Sequence, residues 1–505
     1  MTGRHTSRRL LAASTIFSLT WAQKPYQPGY PNYDPTGELE PPTSSPSPML
    51  FVQIEPRHSI YDSSEQYGEF IVDASLSYIH GQPWNNMTPS DVGGSATSPV
   101  GVLEFDIRLE DSELYYLPAR NNGSTVKIDN LYGGLVVANN VTNYNFVDIL
   151  PFGFYTSCGG YLNYSFANDS ASKDYGFNAI NPVCSFLDDD VFYWMDQLNL
   201  WCQHDMRGVF NTGLNTTQLI EAIPPVKDRS TLLSWYTAQE PEAWQYALNF
   251  TSIAYNILKQ MDPYYPTALV LNCDNYYFGE YSVGADYIME DAYPVGINAT
   301  YSKWGTACND TYGDCGCDDC IGELQDVGNR LDAFFDYQLW PDDTQKPLWA
   351  VLQACSGAGY WARDPTPEKT WAMVILSFNH GAKGFMSWTF PASETPESAH
   401  GAMSKVATTS PVADSLIGAK PVRVTVPGHE LLDVAYRSLS GTVMVVGVAN
   451  LDYADSSAAM PIPIPMGLGG ISSQSWGSVD WQVANSTLSV VGLTGLNTSV
   501  VILCA

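Results

Sequence analysis

The stretch Leu232-Leu-Ser-Trp-Tyr-Thr-Ala-Gln-Glu-Pro-Glu242 runs from the side chains of a buried strand straight into a carboxylate, with no spacer between them. Residues 232–237 are mostly apolar, aromatic or β-branched, which suits a strand covered on both faces. Pro241 cannot donate to a ladder but is tolerated in the first turn of a helix, and Glu242, Trp244, Tyr246, Ala247 and Leu248 begin a helical spacing behind it. The spacing predicts a helix over 242–261. Glu240 is then delivered at the carboxyl end of a strand, where a (β/α)8 barrel keeps its chemistry. The competing reading makes Glu240 a cap for the following helix, favourable near its positive end.

The segments around this stretch favour the barrel. Buried-type strands are expected at 149–155, 177–183, 206–212, 267–273, 286–293, 347–353 and 381–390, separated by helices at 189–202, 322–338 and 367–380. With the strand before Glu240 that makes eight, alternating with helices over about 250 residues, the usual size of such a barrel. An open doubly wound sheet fits less well, since no glycine-rich phosphate turn follows the first strand. His204 and Asp205 fall before the strand at 206–212, on the stability face, and are expected to be structural. On either side the period is two. Segments 69–78 and 101–109 predict an N-terminal sandwich-like β domain over 49–147, and 421–426, 442–448 and 499–503 a C-terminal β domain over 416–505, leaving 148–415 for the barrel. The fold class expected is therefore α/β, a (β/α)8 barrel flanked by an N-terminal and a C-terminal all-β domain.

The 505 residues carry a net charge of −30, from 23 Lys and Arg against 53 Asp and Glu. That excludes a nucleic acid partner and an anionic membrane surface, both of which need a basic face. No apolar run of about 20 residues spans a bilayer. Residues 1–22 have the form of a secretory signal, with Arg4, Arg8 and Arg9 before an apolar core, and 23–48 are a Pro-, Tyr- and Ser-rich linker. Acceptor tripeptides for N-glycosylation begin at Asn86, Asn122, Asn140, Asn163, Asn168, Asn215, Asn249, Asn298, Asn309, Asn485 and Asn497. A secreted, extracellular protein is expected. In such a chain the ten cysteines are expected as disulfides, and Cys308, Cys315, Cys317 and Cys320 to cross-link the long loop after strand six rather than bind zinc. Almost no free thiol is expected, and no metal or cofactor.

The segment ending in Glu240, together with Phe177-Asn-Ala-Ile-Asn-Pro182, Asp291-Ala-Tyr-Pro294 and His380-Gly-Ala-Lys-Gly-Phe-Met-Ser-Trp388, resembles the fourth, second, sixth and eighth strands of secreted, fungal-type TIM-barrel glycoside hydrolases. The likeness covers residues 148–391. It implies that Glu240 is the general acid/base, that Gln239 replaces an Asn that hydrogen-bonds the sugar, that Trp388 floors the sugar site, and that the partner is a polysaccharide or glycan. One position departs from the pattern. Where those enzymes end strand seven in a nucleophilic Glu, this chain offers Gln353. Glycoside hydrolysis needs two carboxyl groups, so the second is sought elsewhere, Asp291 first and Asp274 behind it, with Glu290 pointing to the other side of strand six. Gln353, Asp274 and Tyr293 join Gln239 and Trp388 as expected substrate contacts. The alternative is a carbohydrate-binding or cell-wall protein whose barrel lost its nucleophile, which Gln353 favours. No Gly-x-Ser-x-Gly elbow and no His-Glu-x-x-His pair supports an esterase or a metalloprotease.

Overall fold

The computed structural model describes residues 37, 39, 49–79, 82–83, 100–108, 116–158, 161–162, 165–183, 189–209, 214–303, 305, 307–308, 316–339, 345–439, 442–465 and 468–504. The expected signal segment lies outside them, as does all of the linker except Gly37 and Leu39. Those two rest on the barrel: the Gly37 carbonyl accepts from Tyr277 N–H at 2.6 Å and that of Leu39 from Asn275 Nδ2 at 3.3 Å.

Eight parallel strands form a closed barrel: β1 (Phe152–Ser157), β2 (Ala179–Val183), β3 (Trp201–Asp205), β4 (Leu232–Gln239), β5 (Thr267–Leu271), β6 (Tyr287–Glu290), β7 (Leu348–Ala350) and β8 (Phe385–Phe390). The ring shuts where Phe152 of β1 lies opposite Phe385 of β8. Every residue of β4 before Gln239, and all of β5, is buried, because helices cover the outside while side chains fill the inside. Filling is tight at Gly384, where an added Cβ would fall 2.3 Å from the Trp349 ring. That indole in turn stacks on Tyr287 at 4.2 Å. Across the interior a polar belt joins four strands: Asn181 Nδ2 donates to Gln203 Oε1 (2.8 Å), Gln203 Nε2 to the Tyr287 hydroxyl (2.7 Å), and Ser234 Oγ meets the same hydroxyl (2.7 Å).

Two expectations inside the barrel are corrected. Strand three is Trp201–Asp205, not 206–212: helix α1 (Asp189–Leu198) stops short, Asn199 turns left-handed at φ 49°, and the chain enters β3 at once. His204 and Asp205 consequently finish the strand rather than precede it. The helix after Glu240 is α2 (Phe250–Met261), and residues 242–249 are turns. Gln245 is left-handed at φ 52°, and the Glu242 carboxylate folds inward to accept from the N–H groups of Asn272 (2.6 Å) and Cys273 (3.0 Å).

Outside the barrel, Met49–Pro56, Tyr67–Ile79, Gln82–Pro83 and Val100–Arg108 form an antiparallel sheet. A second sheet, Ser124–Ile128, Leu135–Asn139 and Val147–Ile149, closes the amino-terminal end of the barrel. Its Val126, Leu135 and Val137 share the barrel's core, and Ser124 Oγ donates to the Leu232 carbonyl at 2.6 Å. After β8, residues 422–504 form a five-stranded and a three-stranded sheet around Val446, Val448, Ile462, Leu488 and Val501. This unit docks on helix α3 (Pro367–Asn379) through Asn379 Nδ2, which donates to Asp433 Oδ1 at 2.6 Å and to the Gly447 carbonyl at 3.2 Å.

Candidate active site

Glu240 follows β4 in a left-handed conformation, φ 47°, which a residue with a Cβ adopts at a cost of about 1–2 kcal/mol. The turn is locked by Glu240 N–H donating to the Val270 carbonyl of β5 (2.9 Å) and by the Glu240 carbonyl accepting from Ala243 N–H (3.1 Å). Asp291, one residue past β6, is fully buried. The two side chains meet at the carboxyl end of the barrel. Gln239 Nε2 donates to Glu240 Oε1 at 2.9 Å and to Asp291 Oδ2 at 3.3 Å, and the two carboxyl groups are within hydrogen-bonding reach of each other. Asn272 Nδ2, past the end of β5, holds Asp291 Oδ1 at 3.0 Å. Glu240 Oε2 is buried with no hydrogen-bond partner.

These surroundings separate the two carboxyls. Burial, and then the charge of Asp291, push Glu240 well above the ordinary carboxylate range, while the Gln239 amide pulls the other way. Burial raises Asp291 as well, but hydrogen bonds from Glu240, Asn272 and Gln239 and the nearby Arg330 charge oppose it. A single proton on the pair therefore rests on Glu240, and Asp291 carries the negative charge. Two further carboxyls stand close by without joining the pair. Burial takes Glu242 to about 7 and Glu290 to about 8, each against backbone N–H bonds that favour its charge.

The other expected residues divide. Tyr293 is buried beside the pair, its ring edge-on to Trp361 at 5.5 Å. Trp388, at the end of β8 and partly exposed, faces Tyr155 at 5.3 Å. Asp274 is held apart by the Tyr337 hydroxyl (2.8 Å) and Arg330 (3.6 Å). Gln353 spends its amide on backbone: Oε1 accepts from Val295 N–H (2.8 Å), and Nε2 donates to the carbonyls of Val295 (2.9 Å) and Cys355 (3.1 Å). It pins the loop after β6 to the end of β7. Trp235, a natural candidate for desolvating Glu240, faces away from the site, because alternate residues of a strand point to opposite faces. Its ring packs on His204 and Tyr265, and Tyr236 takes the inward position.

Arg207 is the residue that sequence spacing does not disclose. It lies just past β3, bound through Nε to both oxygens of Asp205 (3.0 and 2.8 Å), with its guanidinium 5.6–5.8 Å from the rings of Tyr155, Tyr236 and Trp388. Once strand three is placed at 201–205, its location follows.

No model of a known protein family matches the chain, and no curated protein does. Solved structures with a similar course include a family 39 glycoside hydrolase from Bacteroides cellulosilyticus, at 10% identity and a TM-score of 0.44, covering 90% of this chain and 100% of that one. Others are the GH30 endoxylanase of Clostridium papyrosolvens (12%, TM-score 0.41, 71% and 97%) and α-galactosidase I of Mortierella vinacea (10%, TM-score 0.45, 70% and 96%). Similarity at this level assigns neither reaction nor substrate. Those rest on the site.

Proposed function

We propose that this chain is a secreted glycoside hydrolase acting on a polysaccharide or glycan, with Glu240 as general acid/base and Asp291 as nucleophile. The observation that carries the reading is the carboxyl pair at the mouth of the barrel, bridged by one amide nitrogen and unequal in its hold on a proton. In the first step Glu240 gives its proton to the glycosidic oxygen as the bond from the anomeric carbon to that oxygen breaks, and an Asp291 oxygen attacks the anomeric carbon. The resulting ester is then opened by water, whose proton returns to Glu240 as Asp291 leaves. Oxygens bonded to one nitrogen lie closer than the about 6.5–9.5 Å of an inverting pair, so the reading is retention of configuration. Gln353 does not count against it, since Asp291 supplies the charge that strand seven lacks.

The rival reading, a carbohydrate-binding protein with an inert barrel, draws on that same Gln353 and expects binding without cleavage. Incubating the purified protein with a panel of polysaccharides separates the two. Cleavage that is lost in Glu240→Gln and in Asp291→Asn, with first-formed products of unchanged anomeric configuration by proton NMR, is the expected outcome. A variant pair as active as the parent would end the assignment.

A further inference from the structure

The bridge between the two carboxyls is itself bridged. Tyr236, fully buried on β4, donates its hydroxyl hydrogen to Gln239 Oε1, while the neighbouring Tyr155 hydroxyl of β1 donates to Met289 Sδ at 3.9 Å. Because Oε1 is occupied by a donor, the amide cannot turn over. Its NH2 must face Glu240 and Asp291, where a flipped carbonyl would meet two acceptors. Both amide hydrogens are spent, at 2.9 and 3.3 Å, and none is left for a sugar hydroxyl. On the acid, Gln239 holds Oε1 and no N–H or O–H group donates to Oε2. On the base, Asn272 and Gln239 take one oxygen each.

We propose that Gln239 is a positioning residue rather than a sugar ligand: aimed by Tyr236, it sets the register of the two carboxyls and leaves Oε2 of Glu240 as the oxygen that bears the proton. The inference rests on the glycosidase reading for its role in a reaction. The register itself can be measured without any substrate.

An amide N–H given to a carboxylate favours the charged form, so removing it raises the proton affinity of both carboxyls. The probe is the protonated-carboxyl band in infrared pH-difference spectra of the free protein, assigned to Glu240 by its disappearance in Glu240→Gln. In Gln239→Leu its titration midpoint should move up by about one pH unit, the worth of one hydrogen bond to a charged group. Tyr236→Phe removes only the group that aims the amide, and should move the midpoint in the same direction by less. An unmoved midpoint in a folded Gln239→Leu overturns the proposal. Should that variant fail to fold, an unmoved midpoint in Tyr236→Phe does so. If no glycan of the panel is cleaved, the spectra still decide the register and only the reaction falls. Where a glycan is cleaved, Gln239→Leu should lower kcat with KM within about twofold, whereas a rise in KM at unchanged kcat marks a sugar ligand and refutes the positioning role.

Discussion

A carboxylic acid serves as a proton donor only while it holds its proton, and at Glu240 the cause is local: burial first, then the charge of Asp291. The sign fixes the pH profile. Activity should decline as pH rises through the elevated pKa of Glu240, and as pH falls far enough to protonate Asp291. A profile of kcat/KM whose basic limb stays put in Glu240→Asp would place that proton on another group. Arg207 makes a separate prediction. Among the described residues it is the one cation paired with the buried Asp205 carboxylate, so Arg207→Met leaves that charge uncompensated and should cost about 3 kcal/mol in urea unfolding. Asp205→Asn on top of it should return part of the loss. Glu240 was legible because Pro241 marks the point where a buried strand must stop. Arg207 was not, since nothing in local sequence says that a charge two residues past a strand will fold back among three rings contributed by β1, β4 and β8.

Elements with a clear period and a firm stop were readable, and those without were not. The helix at 367–380 matches α3 almost to the residue, with Pro367 in its first turn and Thr366 capping Lys369 N–H. By contrast β3 follows α1 so closely that the aromatic and apolar residues at 192–202 satisfy a helix as readily as a strand. Where α3 ends, His380 is clasped between elements. Nδ1 is 2.8 Å from Asp332 of the helix Gln325–Leu339 and Nε2 is 3.0 Å from Asp433 of the strand Leu432–Leu439. Arg423 reaches Asp332 and also comes within 2.8 Å of His380 Nδ1, its charge working against those of the carboxylates, and Asp336 feels the charges of Asp332 and Arg423. Burial lowers the imidazole, but the hydrogen bonds and charges of Asp332 and Asp433 outweigh it and carry His380 up to about 9. A folded pKa above the unfolded one means stability that is complete below about pH 6.5 and lost as pH rises through about 9. Between pH 6 and 10 the parent should lose on the order of 2 kcal/mol more than His380→Asn, the exposed sides of Asp332 and Arg423 reducing the full value. Equal losses would remove His380 as the cause.

At the scale of the whole molecule, the alternation of strands and helices made the barrel legible, while the pairing of cysteines was not. Among the described residues Asn122, Asn140, Asn215, Asn249, Asn298 and Asn485 are exposed, as glycan acceptors must be, so material secreted from a eukaryotic host should lose mass under an N-glycosidase. An even count of cysteines suggested complete pairing, and the structure corrects this. Cys317 is joined to Cys320, and Cys158 and Cys308 are also in disulfides, whereas Cys202, Cys273, Cys355 and Cys504 are free. The reason is the barrel. Cys202 lies within β3 and Cys273 follows β5, so the packing of separate strands, not a cross-link, decides what each touches. Both are buried, and burial holds their thiols well above the usual range, which keeps them as unreactive hydrophobes. Thiol titration should therefore depend on folding: almost no reaction of Cys202 or Cys273 in the native protein, and at least four thiols per chain once it is denatured without reductant. A denatured chain that titrates with none would mean that these four are oxidised, and would overturn the assignment of Cys202, Cys273, Cys355 and Cys504 as free thiols.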